Sequence, residues 1–120
     1  MQTSHFLAKG YDLNAVSISR KPPWWFRGVC YLPLAPPEDL IERYKSDLID
    51  ESIFAQEYVE RVLNTLDPFQ VIRDLGMGAI LLGDTPPGKF CHRRLVAIWL
   101  EDKLGIKVQE YSEKTIKHRI

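Results

Sequence analysis

Long apolar runs are missing from this chain of 120 residues. The longest one in the C-terminal half, LVAIWL at 95–100, is far shorter than the ~20 residues that a membrane-spanning helix needs. The first residues, MQTSHFLAKGYDL, also lack the basic start and apolar stretch of a secretory signal. We therefore expect a cytoplasmic protein without a membrane partner.

Cysteine is scarce, since the chain has only Cys30 and Cys91. In a chain without a signal peptide, two cysteines are more often free thiols than a disulfide. They also fall short of the four ligands of a structural zinc site, and no CxxC or HxxxH spacing adds to them. We expect no metal site, and the residues name no cofactor.

Net charge is absent, because 16 basic residues balance 16 acidic ones. This excludes a protein that coats nucleic acid by charge alone. The balance is not local, however, since 38–60 holds eight acids and two bases, which leaves the remainder of the chain basic. The imbalance indicates either two solvated surfaces of opposite sign or a basic site for an anion on one edge.

The length of the chain and its 45% hydrophobic residues predict a single domain over 1–120, of the α/β class. Strands are predicted at 14–19, 78–82 and 106–111, and helices at 36–48, 51–66, 68–75 and 92–104. The last two strands and the helix between them form a predicted βαβ unit with parallel strands. We expect a small, mainly parallel sheet with helices on both faces, giving three layers.

Two other segments are predicted to be irregular. The segment PPWWFRGVCYLPLAPP at 22–37 holds five prolines, so a long packed connection is expected there. The C-terminal SEKTIKHRI is polar and is expected to fray. Neither segment is therefore predicted to add a strand or a helix.

Two loops with unusual composition follow two of the predicted strands. SRKPPWWFRG at 19–28 follows the first strand, and GDTPPGKFCHRRL at 83–95 leads from the second strand into the last helix. Ligands of α/β sheets collect outside the carboxyl ends of the strands, near helix N-termini. Because the free N–H groups and the dipole of a helix N-terminus favour negative charge, we expect an anion site at this edge.

Cys91, His92 and Asp84 are the candidate catalytic residues. A thiol at a helix N-terminus beside cations is favoured as a thiolate, although Cys91 could equally be a small packed residue. His92 could act as a general base, but adjacent helical residues point in different directions, so contact with a ligand is expected rather than pairing with Cys91. Asp84 is a candidate general base or ribose contact, or a cap of the PPG turn.

Arginines next to the cysteine are candidate ligands for a phosphate or carboxylate. Arg93 and Arg94 differ by about 100° around the helix, so only one can face a given ligand. We expect Arg93 to bind the ligand and Arg94 to extend over the apolar face. The alternative for both is a salt bridge with Asp84 or with the acidic helices.

The first loop interleaves basic and aromatic residues that could stack bases while binding phosphates. These candidate ligand-binding residues are Arg20, Lys21, Trp24, Trp25 and Arg27. The alternative is that the aromatic rings are packed as a satellite of the core.

These residues predict that the protein binds an anionic ligand, either a nucleotide or nucleic acid. Cys91 could add chemistry on that ligand, so the sequence leaves open whether the protein is an enzyme. The alternative function is a non-enzymatic module that binds a protein partner. It would use the acidic helical region and the aromatic loop, and its cysteine would be structural.

Four stretches of the chain, taken together, resemble the domain of unknown function 488 family. They are VSISRKPPWWFRG, LAPPEDLIERYK, YVERVLNTLDP and AILLGDTPPGKFCHRRLVAIWLEDKLGIKVQEY, in the family's order and over nearly the whole chain. The resemblance marks six positions: Arg20, Pro22, Pro23, Cys91, His92 and Arg93. It implies an α/β fold, but no reaction, substrate or cofactor.

The chain departs from this family after the core strand. Relatives commonly have a cysteine followed by an acidic residue, a lysine and a proline, whereas this chain has Gly83, Asp84, Thr85 and Pro86. The acidic residue is kept and the cysteine and lysine are lost. Any chemistry that those two residues perform in relatives is therefore not expected here.

Overall fold

The computed structural model describes residues 1–111, which form a five-stranded sheet with helices packed on it. The strands are β1 (Gln2–His5), β2 (Ala15–Ser17), β3 (Val29–Cys30), β4 (Ile80–Gly83) and β5 (Gln109–Glu110). Their order is β3-β2-β4-β1-β5, and all neighbouring strands are parallel. The predicted α/β class with a parallel sheet is confirmed.

Five α-helices connect or follow these strands. They are α1 (Phe6–Lys9), α2 (Glu38–Lys45), α3 (Glu51–Arg61), α4 (Pro68–Leu75) and α5 (His92–Leu104), with 3-10 turns at Leu32–Leu34 and Leu63–Thr65. The Asp50 carboxylate accepts a hydrogen bond from the Ile53 N–H and so caps the start of α3. Gly105, in the left-handed conformation with φ of 66°, ends α5.

The strand β1 is the main element that the sequence did not predict. It lies between β4 and β5, so the two strands of the predicted βαβ unit are parallel but not adjacent. Its sequence QTSH is short and polar, and its buried Thr3 and Ser4 carry no apolar signal. A pattern based on hydrophobic residues therefore cannot detect it.

The two faces of the sheet carry different layers. Leu81 faces the larger core, which contains buried residues of α2, α3, α4 and α5. Ile80 and Leu82 face a smaller cluster with Phe6 of α1 and Phe26 of the proline-rich loop. The sheet therefore has helices on both faces, but the second layer consists of one short helix and a loop.

Two remaining predictions concern the irregular segments. The proline-rich segment at 22–37 is irregular except for β3 and the first 3-10 turn. The predicted fraying of 112–120 lies outside the described residues. Within 1–111, no helix has the length and apolar character to cross a bilayer.

Candidate functional site

A cavity of ≈ 410 Å³ opens at the carboxyl edge of the sheet. This volume lies within the ~300–1,000 Å³ typical of small-molecule sites. Its walls come from the loop after β2, the loop after β4, the first residues of α5, and helices α2 and α3. Five of the candidate residues line it: Arg20, Lys21, Asp84, Cys91 and His92.

Cys91 precedes α5 as its N-cap residue and has an extended backbone, with φ of −155° and ψ of 141°. The Cys91 side chain is therefore not rotated by about 100° from that of His92, as it would be if both residues were helical. The Sγ atom lies 3.9 Å from Nδ1 of His92. Our expectation that the two side chains point apart was wrong, because it treated Cys91 as a helical residue.

The orientation of the His92 ring is fixed by the protein backbone. Its Nε2 lies 2.6 Å from the carbonyl oxygen of Ile18, the residue after β2. Because a carbonyl oxygen only accepts hydrogen bonds, Nε2 must carry a proton. The other nitrogen, Nδ1, then faces the Cys91 sulfur.

The surroundings of Cys91 favour the thiolate. Burial alone would raise the pKa of the thiol, since only 8% of the residue is exposed. The hydrogen bond and charge of His92, with the charge and backbone N–H of Arg93, outweigh burial and lower the pKa from 9.0 to about 6. The lowered pKa favours the thiolate at neutral pH.

Arg93 lies behind the sulfur and does not line the cavity. It is fully buried, and its Nε and Nη2 donate to the Glu110 carboxylate at 3.1 and 2.9 Å. Its Nη1 has no hydrogen-bond partner among the described residues. The expectation that Arg93 contacts the ligand is corrected, because pairing with β5 turns it inward.

Gly83 makes room for this arrangement at the end of β4. A Cβ atom there would overlap the Cys91 sulfur and lie 3.2 Å from Nη1 of Arg93. The sulfur and the guanidinium therefore flank a backbone position that has no side chain. The sequence analysis noted Gly83 only as the position where relatives of the resembled family have a cysteine, so its packing role was missed.

Arg94 also serves the structure. Its Nη1 donates to the Thr3 hydroxyl at 2.7 Å and to the Val108 carbonyl at 3.4 Å. The side chain thus ties α5 to β1 and to the segment before β5, and it does not cover the apolar face. Arg93 thus pairs with Glu110, and Arg94 donates to Thr3 and Val108. Neither arginine pairs with Asp84 or with a carboxylate of the acidic helices, as the alternative prediction had it.

The loop after β2 contributes a fixed cation to the cavity. Arg20 donates from Nε to the Pro36 carbonyl at 3.1 Å and from Nη2 to the Ala35 carbonyl at 3.3 Å. Lys21 is exposed, and its Nζ lies 3.9 Å from Glu38. Arg20 is therefore the better-held positive charge of the two.

Ser19 and three aromatic residues are lining residues that the sequence did not reveal. Ser19 is only 3% exposed, and its Oγ has no hydrogen-bond partner within 1–111. Tyr44, Phe54 and Phe90 form one wall of the cavity. The position of Ser19 at the carboxyl end of a predicted strand was the signal that could have identified it.

The other candidates of the loop lie outside the cavity. Trp25 stacks on Tyr11 at 4.9 Å between ring centroids, and Arg27 donates to the Trp24 carbonyl at 2.8 Å. Trp24 is 85% exposed and is absent from the cavity lining. The predicted base-stacking group of Trp24, Trp25 and Arg27 is not assembled here, because Phe26 packs on the second face and turns the loop away.

Metal ligands do not gather at this site. Within the part of the chain that the structure describes, no three His, Cys, Asp or Glu residues are placed to hold an ion. Asp84, an exposed residue, lies at the rim of the cavity. Its carboxylate is thus available to a ligand.

Comparison with protein families, curated proteins and solved structures found no match for this chain. The resemblance to the domain of unknown function 488 family therefore stays a prediction carried by the residues. The geometry of the cavity is the basis for the functional proposal.

Proposed function

We propose that this domain binds an anionic ligand at the carboxyl edge of its sheet and presents the Cys91 thiolate to it as a reactive group. The observation that carries the proposal is that Cys91, whose thiol has a pKa of about 6, lines the same cavity as Arg20. A structural cysteine does not need a lowered pKa or an open cavity.

Three groups support binding of an anion. The guanidinium of Arg20 is held by two backbone carbonyls, so little conformational freedom is lost when it meets a ligand. The buried hydroxyl of Ser19 has a free proton to donate. The N-terminus of α5 adds backbone N–H groups and a positive dipole.

The Cys91–His92 pair supports nucleophilic chemistry on the bound ligand. The sulfur would give an electron pair to an electrophilic atom of the ligand, while the bond to the leaving group breaks with its own electron pair. His92 would take up a proton from solvent at Nδ1 and pass it to the departing atom. The Ile18 carbonyl keeps the ring in the orientation that this transfer needs.

Protection from alkylation tests the proposal. The native protein is treated with iodoacetamide at pH 7 with and without inorganic phosphate, and both cysteine peptides are quantified by mass spectrometry. We expect phosphate to slow the alkylation of Cys91 but not that of the exposed Cys30. Arg20→Ala should remove the protection, whereas the exposed and cavity-remote Arg73→Ala should keep it.

Equal alkylation rates of Cys91 with and without phosphate would contradict the anion site. A Cys91 that stays unmodified until the protein unfolds would contradict the reactive thiolate. The two parts of the proposal thus have separate outcomes.

A second proposed function, binding of a protein partner, is favoured by exposed apolar residues near the second face. They are Leu7, Tyr11, Leu13 and Trp24. If a protein partner binds to these residues, we expect Trp24→Ser to abolish its binding and Cys91→Ser to leave its binding intact. The reverse result would assign the partner to the cavity.

A further inference from the structure

The cavity has an aromatic wall on the side formed by α2, α3 and the residue before Cys91. Ring centroids of Tyr44 lie 5.3 Å from Phe54 and 5.6 Å from Phe90, and those of Phe54 and Phe90 are 5.4 Å apart. Phe54 is buried, whereas Tyr44 and Phe90 are partly exposed. Because the three rings support each other, the wall presents a fixed apolar surface to a ligand.

The charged residues of the lining balance each other. Three are cations and three are carboxylates: Arg20, Lys21, Lys45, Glu38, Glu42 and Asp84. The carboxylates in this set disfavour negative charge at positions away from Ser19 and Arg20. The lining therefore fits a ligand that carries negative charge at one place and hydrogen-bond donors at others.

We infer that the ligand is a nucleoside monophosphate, with its base against Tyr44 and Phe90 and its phosphate at Ser19 and Arg20. This inference rests on the proposed function and specifies its ligand. A base supplies the flat ring that the aromatic wall can stack. Ribose hydroxyls and amino groups of a base supply donors for the carboxylates of Asp84 and Glu42.

A free nucleotide fits these observations better than a nucleic-acid strand. Strand binding gains its free energy from excess cations that track the phosphates, and the lining has no such excess. The aromatic residues of the basic loop that would continue a stacking path, Trp24 and Trp25, lie outside the cavity. The cavity thus offers one stacking wall and one phosphate position.

Calorimetric titration of the full chain tests this inference. The probes are AMP, GMP, CMP and UMP, together with ribose 5-phosphate and inorganic phosphate. We expect the best of the four nucleotides to bind at least about tenfold tighter than ribose 5-phosphate, because one stacked base contributes that much. Tyr44→Ala should reduce this ratio towards one and leave the affinity for ribose 5-phosphate unchanged.

Two further variants complete the experiment. Phe69→Ala removes an exposed ring of α4 outside the cavity and should keep the tenfold ratio. If Tyr44→Ala does not fold, Tyr44→Leu replaces it, because leucine fills space without a flat ring.

The outcomes separate this inference from the proposed function. Equal affinity for the nucleotides, ribose 5-phosphate and phosphate overturns the nucleotide assignment but leaves an anion site. Tighter binding of a single-stranded oligonucleotide than of any mononucleotide overturns it in favour of nucleic acid. If no probe binds, the nucleotide assignment fails, and the phosphate protection of Cys91 decides whether the proposed function fails with it.

Discussion

At Cys91, the position at which helix α5 begins determines the chemistry of the thiol. The residue is extended while the next one is helical, and this lets Sγ approach Nδ1 of His92 to 3.9 Å. Helical spacing alone predicts that neighbouring side chains diverge. The Cys91–His92 pair could therefore not be predicted from the sequence, although the cation-rich helix start that favours a thiolate could.

Gly83→Ala should disturb the thiol directly. The added methyl group would overlap the sulfur and press on Nη1 of Arg93. We expect a loss of about 1–3 kcal/mol in the free energy of unfolding, as for other overpacked interiors. Urea denaturation measures this loss.

Gly78→Ala is the matched control, because a Cβ there has nothing within 4 Å. It should change the stability little or raise it slightly, since alanine restricts the unfolded chain. Equal losses in both variants would contradict the close packing at Gly83.

The lowered pKa of Cys91 predicts a pH-dependent stability. Between pH 6 and 9, the unfolded thiol holds a proton that the folded thiolate lacks, so stability should rise with pH by up to ~1.4 kcal/mol per unit. This contribution is complete above pH 9 and is lost as pH falls through about 6. Cys91→Ser should remove it, whereas Cys30→Ser should keep it.

Denaturant titrations at several pH values measure this effect. Stability curves of wild type and Cys91→Ser that run parallel from pH 6 to 9 would show that the thiol is not ionised in the folded protein.

At the scale of elements, the helices were predicted better than the strands. Helix α5 has the predicted bounds, since its apolar face, its cationic start and the stop at Gly105 all lie within one segment. Strand β1 was missed because its polar residues are stabilised by partners far away in sequence, such as Glu110 for Thr3. Strand-pairing information of this kind is not contained in a local pattern.

The capping residue at the start of α3 should contribute to the stability of the protein. Asp50→Ala removes the hydrogen bond from the Ile53 N–H to the capping carboxylate. We expect the free energy of unfolding to fall by about 1 kcal/mol, as for other N-cap replacements. Thermal unfolding measures it, with the exposed Ser52→Ala of the same helix as a near-neutral control.

The edge strand β5 depends on a buried ion pair. Glu110→Gln would remove the carboxylate that pairs with the fully buried guanidinium of Arg93 and leave only the Cys91 sulfur as a nearby negative charge. We expect a loss of about 3–5 kcal/mol, measured by urea denaturation. The exposed neighbour Gln109→Ala should cost much less.

Replacement of both partners, in Arg93→Met with Glu110→Leu, should recover much of this stability, because the buried guanidinium and its carboxylate are then both removed. A double variant as unstable as Glu110→Gln would show that the ion pair is not what holds the strand.

At the scale of the whole molecule, the parallel sheet brings the ends of β2 and β4 to one edge and creates the cavity. That edge could be predicted, because it follows from strand direction alone. The aromatic wall and the inward turn of Arg93 could not, because they depend on contacts such as Tyr44 with Phe90 between distant parts of the chain. The sequence therefore predicted the place of the cavity and only part of its lining.

The most direct test of this account is the pH dependence of Cys91 alkylation in the native protein. Iodoacetamide rates at Cys91 and at the exposed Cys30 are measured in one sample by peptide mass spectrometry from pH 4.5 to 9.5. The account predicts that the Cys91 rate reaches half of its plateau near pH 6 and that His92→Asn moves this midpoint upward. A Cys91 rate that is still rising above pH 8, or no reaction in the folded protein, would contradict it.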